Sequence, residues 1–226
     1  MRTCLVAAVV VVVSASARAE VVEVGGAAGM VTSTMKQTFP DCSDQPDCIE
    51  SAEAHAPRRG IASGLFVRYP IVRALLVQAE LAYVQKGFET TLPSLRVDYL
   101  EVPVLLRIDP LRHRLPVRFA FLGGLAPAVR ARCRQSGSFF MNGAGVPYDD
   151  RCEDAPRVDD MRAYPARFDL GLVVGATLAV ESPIGVFEVE ARSERGLVDN
   201  GAWGPGGRTA FESYGVRFGY AYAVGR

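Results

Sequence analysis

This sequence predicts an all-β fold, an eight-stranded antiparallel up-and-down transmembrane barrel. Three observations carry that expectation. Apolar residues alternate with small or charged ones over eight separate stretches. The connections between those stretches alternate between tight and long. The aromatic residues of the apolar face sort toward the two strand ends.

The eight stretches follow one another along the chain. They are EVVEVGGAAGMVT, FVRYPIVRALL, ALLVQAELAYVQKGF, RVDYLEVPVLLRI, VRFAFLGGLAPAVRARC, RFDLGLVVGATLAVE, VFEVEARSER and ESYGVRFGYAYAV. Successive side chains on a strand point to opposite faces, so parity assigns each residue to one of two surfaces. Phe168, Leu170, Leu172, Val174, Ala176, Leu178 and Val180 share one face. Tyr214, Val216, Phe218, Tyr220, Tyr222 and Val224 share another. The opposite surface is charged: Glu80 and Lys86; Asp98, Glu101 and Arg107; Arg118, Arg130 and Arg132; Glu188, Glu190, Arg192 and Glu194; and Arg217. Interspersed charges of both signs, among Gly and Ala, suit the crowded polar lumen of a small barrel whose apolar face meets lipid.

Tight connections fall around Pro70–Arg73, around Pro110–Pro116 and at Ser182–Gly185, while long ones are expected at 33–59, 133–166 and 196–210, with a shorter one at 89–95. Transmembrane barrels pair short periplasmic turns with longer outer loops. Both termini are therefore expected on the periplasmic side. On this threading Tyr69, Phe119, Phe121, Tyr220 and Tyr222 form a belt at the periplasmic rim, and Tyr83, Phe168 and Tyr214 one at the outer rim. Interfacial belts of this kind are what a bilayer selects.

The chain has 226 residues, with 25 basic and 25 acidic side chains and a hydrophobic fraction of 49%. A net charge of zero gives no support to a nucleic-acid surface. Residues 1–19 read as a cleaved signal peptide, with Ala17-Arg18-Ala19 before the cut and 20–226 as the barrel domain. The apolar run is shorter than the roughly 20 residues a helical span needs. Beyond that segment stand Cys42, Cys48, Cys133 and Cys152. An even count in an exported chain implies two disulfides with three possible pairings. The local pairs Cys42–Cys48 and Cys133–Cys152 are favoured because each closes one loop. No C-x-x-C pair is present and His55 and His113 lie far away in sequence, so no metal site is expected; no cofactor is expected either.

AELAYVQKGFE followed by VDYLEVPVLLRI resembles the paired-strand signature of the PorT-like outer-membrane β-barrel proteins. The matching residues are Glu80, Leu81, Tyr83, Gln85, Lys86 and Gly87, then Tyr99, Leu100, Glu101, Val102 and Pro103. The resemblance implies an eight-stranded outer-membrane barrel. The cysteines and long loops stand outside the matched pattern, and the chain ends in AVGR rather than on an aromatic residue.

Pro103 interrupts a strand that otherwise alternates cleanly, and proline normally avoids the interior of a sheet. The set Leu100, Val102, Val104, Leu106 and Ile108 passes through it without a change of parity. A bulge would shift that parity, so none is expected at Pro103, which should face the lumen beside Glu101 and Arg107.

Chemistry is hard to find. A serine nucleophile needs a nearby base, and His55 and His113 fall in a loop and a turn rather than on strands. GGAAG lacks the lysine and the helix of a phosphate loop and reads as packing space in a narrow barrel. Trp203 sits in a glycine-rich outer loop. Glu80, Lys86, Glu101, Arg107, Arg118, Glu188, Glu190, Arg192 and Arg217 are expected to form a lumenal polar network, because buried charges require partners. The expected role is structural, or surface recognition through the outer loops, with no enzymatic activity. Expected partners are outer-membrane lipid, the barrel-assembly machinery and an unknown extracellular partner of the loops, with the protein itself a monomer. The alternatives are a soluble lipocalin-like ligand carrier, a lipid-acting barrel enzyme and a narrow channel.

Overall fold

The computed structural model describes residues 22–38, 56–89, 94–110, 116–141, 144–154, 165–199 and 208–224. These form strands β1 (Val22–Thr38), β2 (Ala56–Val72), β3 (Leu75–Glu89), β4 (Ser94–Glu101), β5 (Val104–Ile108), β6 (Val117–Met141), β7 (Ala144–Arg151), β8 (Phe168–Ser182), β9 (Gly185–Gly196) and β10 (Arg208–Val224). No helix occurs among the described residues.

All pairings are antiparallel, and β1 pairs with β10 to close the ring. β4 and β5 are two halves of one barrel strand, since both pair with β3 on one side and β6 on the other. β7 pairs with the far end of β6 and stands outside the ring. The closed barrel therefore has eight strands.

Its stagger can be read from the pairing. The row Thr34, Glu212, Arg195, Leu172, Leu125, Val104, Ala79, Val67 goes once around and returns to β1 at Val24. One circuit thus slips ten residues along β1, from 34 to 24. For eight strands this corresponds to a tilt of about 40°, within the usual range for closed barrels.

The apolar set faces outward. Leu100, Val102, Val104, Leu106 and Ile108 are all exposed, as are Leu172, Val174, Leu178 and Val180. The lumen holds the charges, with Arg68 and Arg107 the largest fully buried side chains. Pro103 is buried and points inward. The register with β3 continues unchanged from Ala82↔Glu101 to Ala79↔Val104, so no residue is inserted there. Glu80 donates its backbone N–H to the Pro103 carbonyl at 2.9 Å. Proline has no N–H to return to the Glu80 carbonyl, and this missing ladder bond divides β4 from β5.

Three expectations need correction. A bulge lies at Ala131 of β6, where Asp98 pairs with Arg132 but Tyr99 pairs with Arg130. The extra residue reverses the parity beyond it, so Arg130 stays inward while Arg132 is exposed outside. Asp98 shares the outward parity of Leu100 and is shielded there by Arg96, 3.1 Å away. The strands also reach into the stretches expected as loops. β1 runs on to Thr38, and residues 134–141 pair with 144–151 as β6 and β7 rather than standing in a loop.

Two tight turns join strands at the Val22 end. Residues 73 and 74 link β2 to β3, and Pro183-Ile184 link β8 to β9. Gly185 closes the second with φ +148°, a conformation open to glycine but not to most residues. Tyr220 donates its hydroxyl to the Ile184 carbonyl, tying the turn to β10.

Candidate functional site

Two features stand out in the barrel, its filled lumen and the hairpin above it. The lumen is organised in tiers, and β9 contributes a carboxylate to each.

Nearest the Val22 end, Arg68 lies 2.5 Å from Glu188 and 3.5 Å from Glu23, and its Nε donates to Gln78. Its guanidinium also stacks 4.0 Å over the Phe66 ring. That ring fills the space over Gly25, where a Cβ would come within 2.5 Å of it. Arg107 reaches Glu188 at 3.3 Å, and Arg118 reaches Asp109 at 3.5 Å and Glu181 at 3.2 Å.

In the middle tier Arg192 and Arg217 both clamp Glu80, at 2.7 and 3.1 Å. Glu190 accepts from the same two arginines at 2.8 and 2.6 Å. Two carboxylates and two guanidiniums thus neutralise one another in a low-dielectric space, the condition under which buried charge is tolerated.

The upper tier is Lys86, 2.8 Å from Glu101 and 2.6 Å from Glu194. A cavity of about 30 Å³ separates this tier from the middle one, lined by Glu101, Glu194, Arg192, Arg217 and Ser213 among others. It has room for one or two waters with polar partners on several sides.

Above Lys86 the lumen turns apolar. Met35, Phe88, Leu95, Val97, Tyr99 and Phe211 pack into one buried cluster with Cys133 and Cys152. Lys86 lies 5.3 Å from the Tyr99 ring centroid, and Tyr99 meets Phe211 edge-on at 6.2 Å. Gly87 follows Lys86 with φ +155°, and Ser33 Oγ both donates to its carbonyl and accepts from its N–H.

Cys133 and Cys152 form a disulfide across the β6–β7 hairpin. Gln135 donates to the Tyr148 hydroxyl at 3.2 Å, and Arg130 pairs with Glu153 at 3.2 Å. Burial raises the Tyr148 hydroxyl above its ordinary pKa, against the opposing effect of that hydrogen bond. Asp149 and Asp150 are exposed toward the disulfide end of β7, paired with Ser136 and Gln135.

The structure thus brings Glu80, Lys86, Glu101, Arg107, Arg118, Glu188, Glu190, Arg192 and Arg217 into one ionic interior. Sequence reasoning passed over Arg68, Glu23, Gln78 and Asp109, all buried in it. The signal for Arg68 was present, since it shares the parity of Phe66 and Pro70 and lies opposite Val67 and Tyr69. Cys42, Cys48, His55, His113, Trp203 and the N-terminal segment 1–19 lie outside the described residues.

An eight-stranded ring that is apolar outside and ionic inside defines a membrane-spanning β-barrel. The chain belongs to the outer membrane protein beta-barrel domain family, whose model matches residues 15–200. A comparison with curated proteins finds no match.

Among solved structures, the chain is similar to Ail, the attachment invasion locus protein of Yersinia pestis, crystallised with the heparin analogue sucrose octasulfate. Identity is 16%, coverage is 89% of this chain and 99% of that one, and the TM-score is 0.41. OprG of Pseudomonas aeruginosa is 11% identical, with coverage of 88% and 95% and a TM-score of 0.44. The outer membrane enzyme PagL is 11% identical, with coverage of 87% and 97% and a TM-score of 0.42.

Proposed function

We propose that the protein is a monomeric, non-conducting outer-membrane barrel that works through its outer surface, as a structural or recognition element. The observation that carries this reading is the filling of the lumen. Ion pairs occupy it from Glu23 to Glu194, and the apolar cluster around Tyr99 and Phe211 closes the end beyond. An eight-stranded barrel has little interior to spare once its own side chains are in place.

On this reading the termini and tight turns are periplasmic, and the disulfide-stapled hairpin stands outside the cell. Residues 1–19 serve as the cleaved export signal, and the barrel-assembly machinery inserts the rest. The closer kinship is with PorT-like barrels. Its support is that the matched residues Glu80, Lys86, Tyr99, Glu101 and Pro103 all face the lumen, and Lys86 sits against both Glu101 and Tyr99. No enzymatic role is proposed. A lipocalin-like carrier would invert the observed polarity, with apolar side chains inside and charges out.

Planar-bilayer recording tests the reading. Purified protein should insert without resolvable single-channel openings, and steady openings would overturn it.

A further inference from the structure

The outward surface of the barrel is not uniformly ridged. Across β8, β9 and β10 runs a groove of about 920 Å³. Its floor is Ala176, Ala191 and Ser193, and Phe121, Met30 and Tyr214 stand up at its sides. Pairing explains the dent: Phe121, Ala176, Ala191, Val216 and Met30 lie in one cross-strand row, so two alanines sit between large neighbours.

Charge gathers at the hairpin end of the groove. Arg195 lies four residues beyond Ala191 on the same face of β9, about 13 Å along the strand. Lys36 of β1 joins it, and the two side chains are 71% and 66% exposed. They share a single carboxylate, Glu212, at 3.9 and 3.0 Å. One positive charge is left over, directly above an apolar trough in a membrane-facing wall. Arg59 and Arg132 are also exposed on the outward surface near this end of the barrel.

We infer that this groove is a seat for one lipid A molecule of the outer leaflet, with an acyl chain on the Ala176–Ala191 floor and a phosphate on Arg195 and Lys36. A shallow apolar trough accepts a chain without displacing side chains, and guanidinium and ammonium groups pair strongly with phosphate. The inference rests on the reading that the hairpin end faces outward, because that places the groove in the outer leaflet.

Native mass spectrometry of the full chain in detergent tests it, with diphosphoryl lipid A, the same lipid dephosphorylated, and phosphatidylglycerol as probes. The wild type should retain diphosphoryl lipid A over both others. K36Q/R195Q should lower retention about thirtyfold, the effect expected of two interfacial cations. Ala191→Phe, which fills the floor from outside, should lower it to a similar degree while the barrel still migrates as a folded species on an unboiled gel. Wild-type retention by either variant overturns the inference, as does equal retention of phosphatidylglycerol. Binding in detergent is independent of orientation. An epitope placed at 142–143, between β6 and β7, reports orientation separately, and its absence from the surface of intact cells, with the folded species still seen on an unboiled gel, would overturn the leaflet assignment whatever the binding shows.

Discussion

Arg217 and Glu80 form a two-toothed ion pair inside the barrel, Nη1 to Oε2 at 3.1 Å and Nη2 to Oε1 at 3.2 Å. Arg192 presents its own guanidinium to the same carboxylate at 2.7 and 3.1 Å. Glu80 is thus the anion on which two buried cations depend. Glu80→Ala leaves them with Glu190 alone, and breaking a buried pair on one side costs about 3–5 kcal/mol. Urea unfolding in lipid vesicles should show a loss of that size. A shift within experimental scatter would mean the middle tier is solvated rather than buried.

Lys86 holds apart two carboxylates, Glu101 and Glu194. Lys86→Met should therefore destabilise the barrel by a comparable amount, about 3–5 kcal/mol. The triple variant K86M/E101Q/E194Q removes the charges together and should recover most of the loss. A triple variant as unstable as the single one would show that shape, not charge balance, governs this tier.

The Cys133–Cys152 bond closes a separation of 19 residues at the base of the β6–β7 hairpin, where Cys133 still pairs with Val97 of β4. A loop of that size corresponds to about 3 kcal/mol of constraint on the unfolded chain. C133S/C152S should leave heat-modifiable migration of the barrel in place while protease cuts the β6–β7 hairpin faster. Loss of the folded gel band would place the bond in the barrel's own stability, as its contact with the Phe88 and Phe211 cluster allows.

Val174 is 54% exposed and faces outward in the middle of β8, whereas Val173 beside it is fully buried. In C42S/C48S protein carrying V174C, with the native disulfide kept, a water-soluble maleimide should fail to label protein in vesicles. A nitroxide lipid should quench a fluorophore attached there beforehand. Rapid aqueous labelling would contradict the lipid-facing placement of this strand.

Much of the fold is written in local alternation. The parity of Phe168 through Val180, and of Leu100 through Ile108 across Pro103, separates the two faces without knowledge of any partner, because side-chain direction along a strand has a period of two. The turn at Ser182–Gly185 is equally local. The bulge at Ala131 was not legible, since nothing in AVRARC marks which alanine is left unopposed, and that depends on how β4 lies against β6. The outward turn of Arg132 has the same cause, whereas Asp98 faces outward simply because it is two residues from Leu100 on the same strand.

The sequence by itself determined that charges of both signs would share one wall of a closed sheet. Only the tertiary structure decided who pairs with whom. Arg192 meets Glu80 across 112 positions and Arg217 meets it across 137. Such contacts depend on the ring closing with a ten-residue stagger between Thr34 and Val24. Stagger is a property of the whole circuit, summed over every strand pair, and no single stretch of chain encodes it.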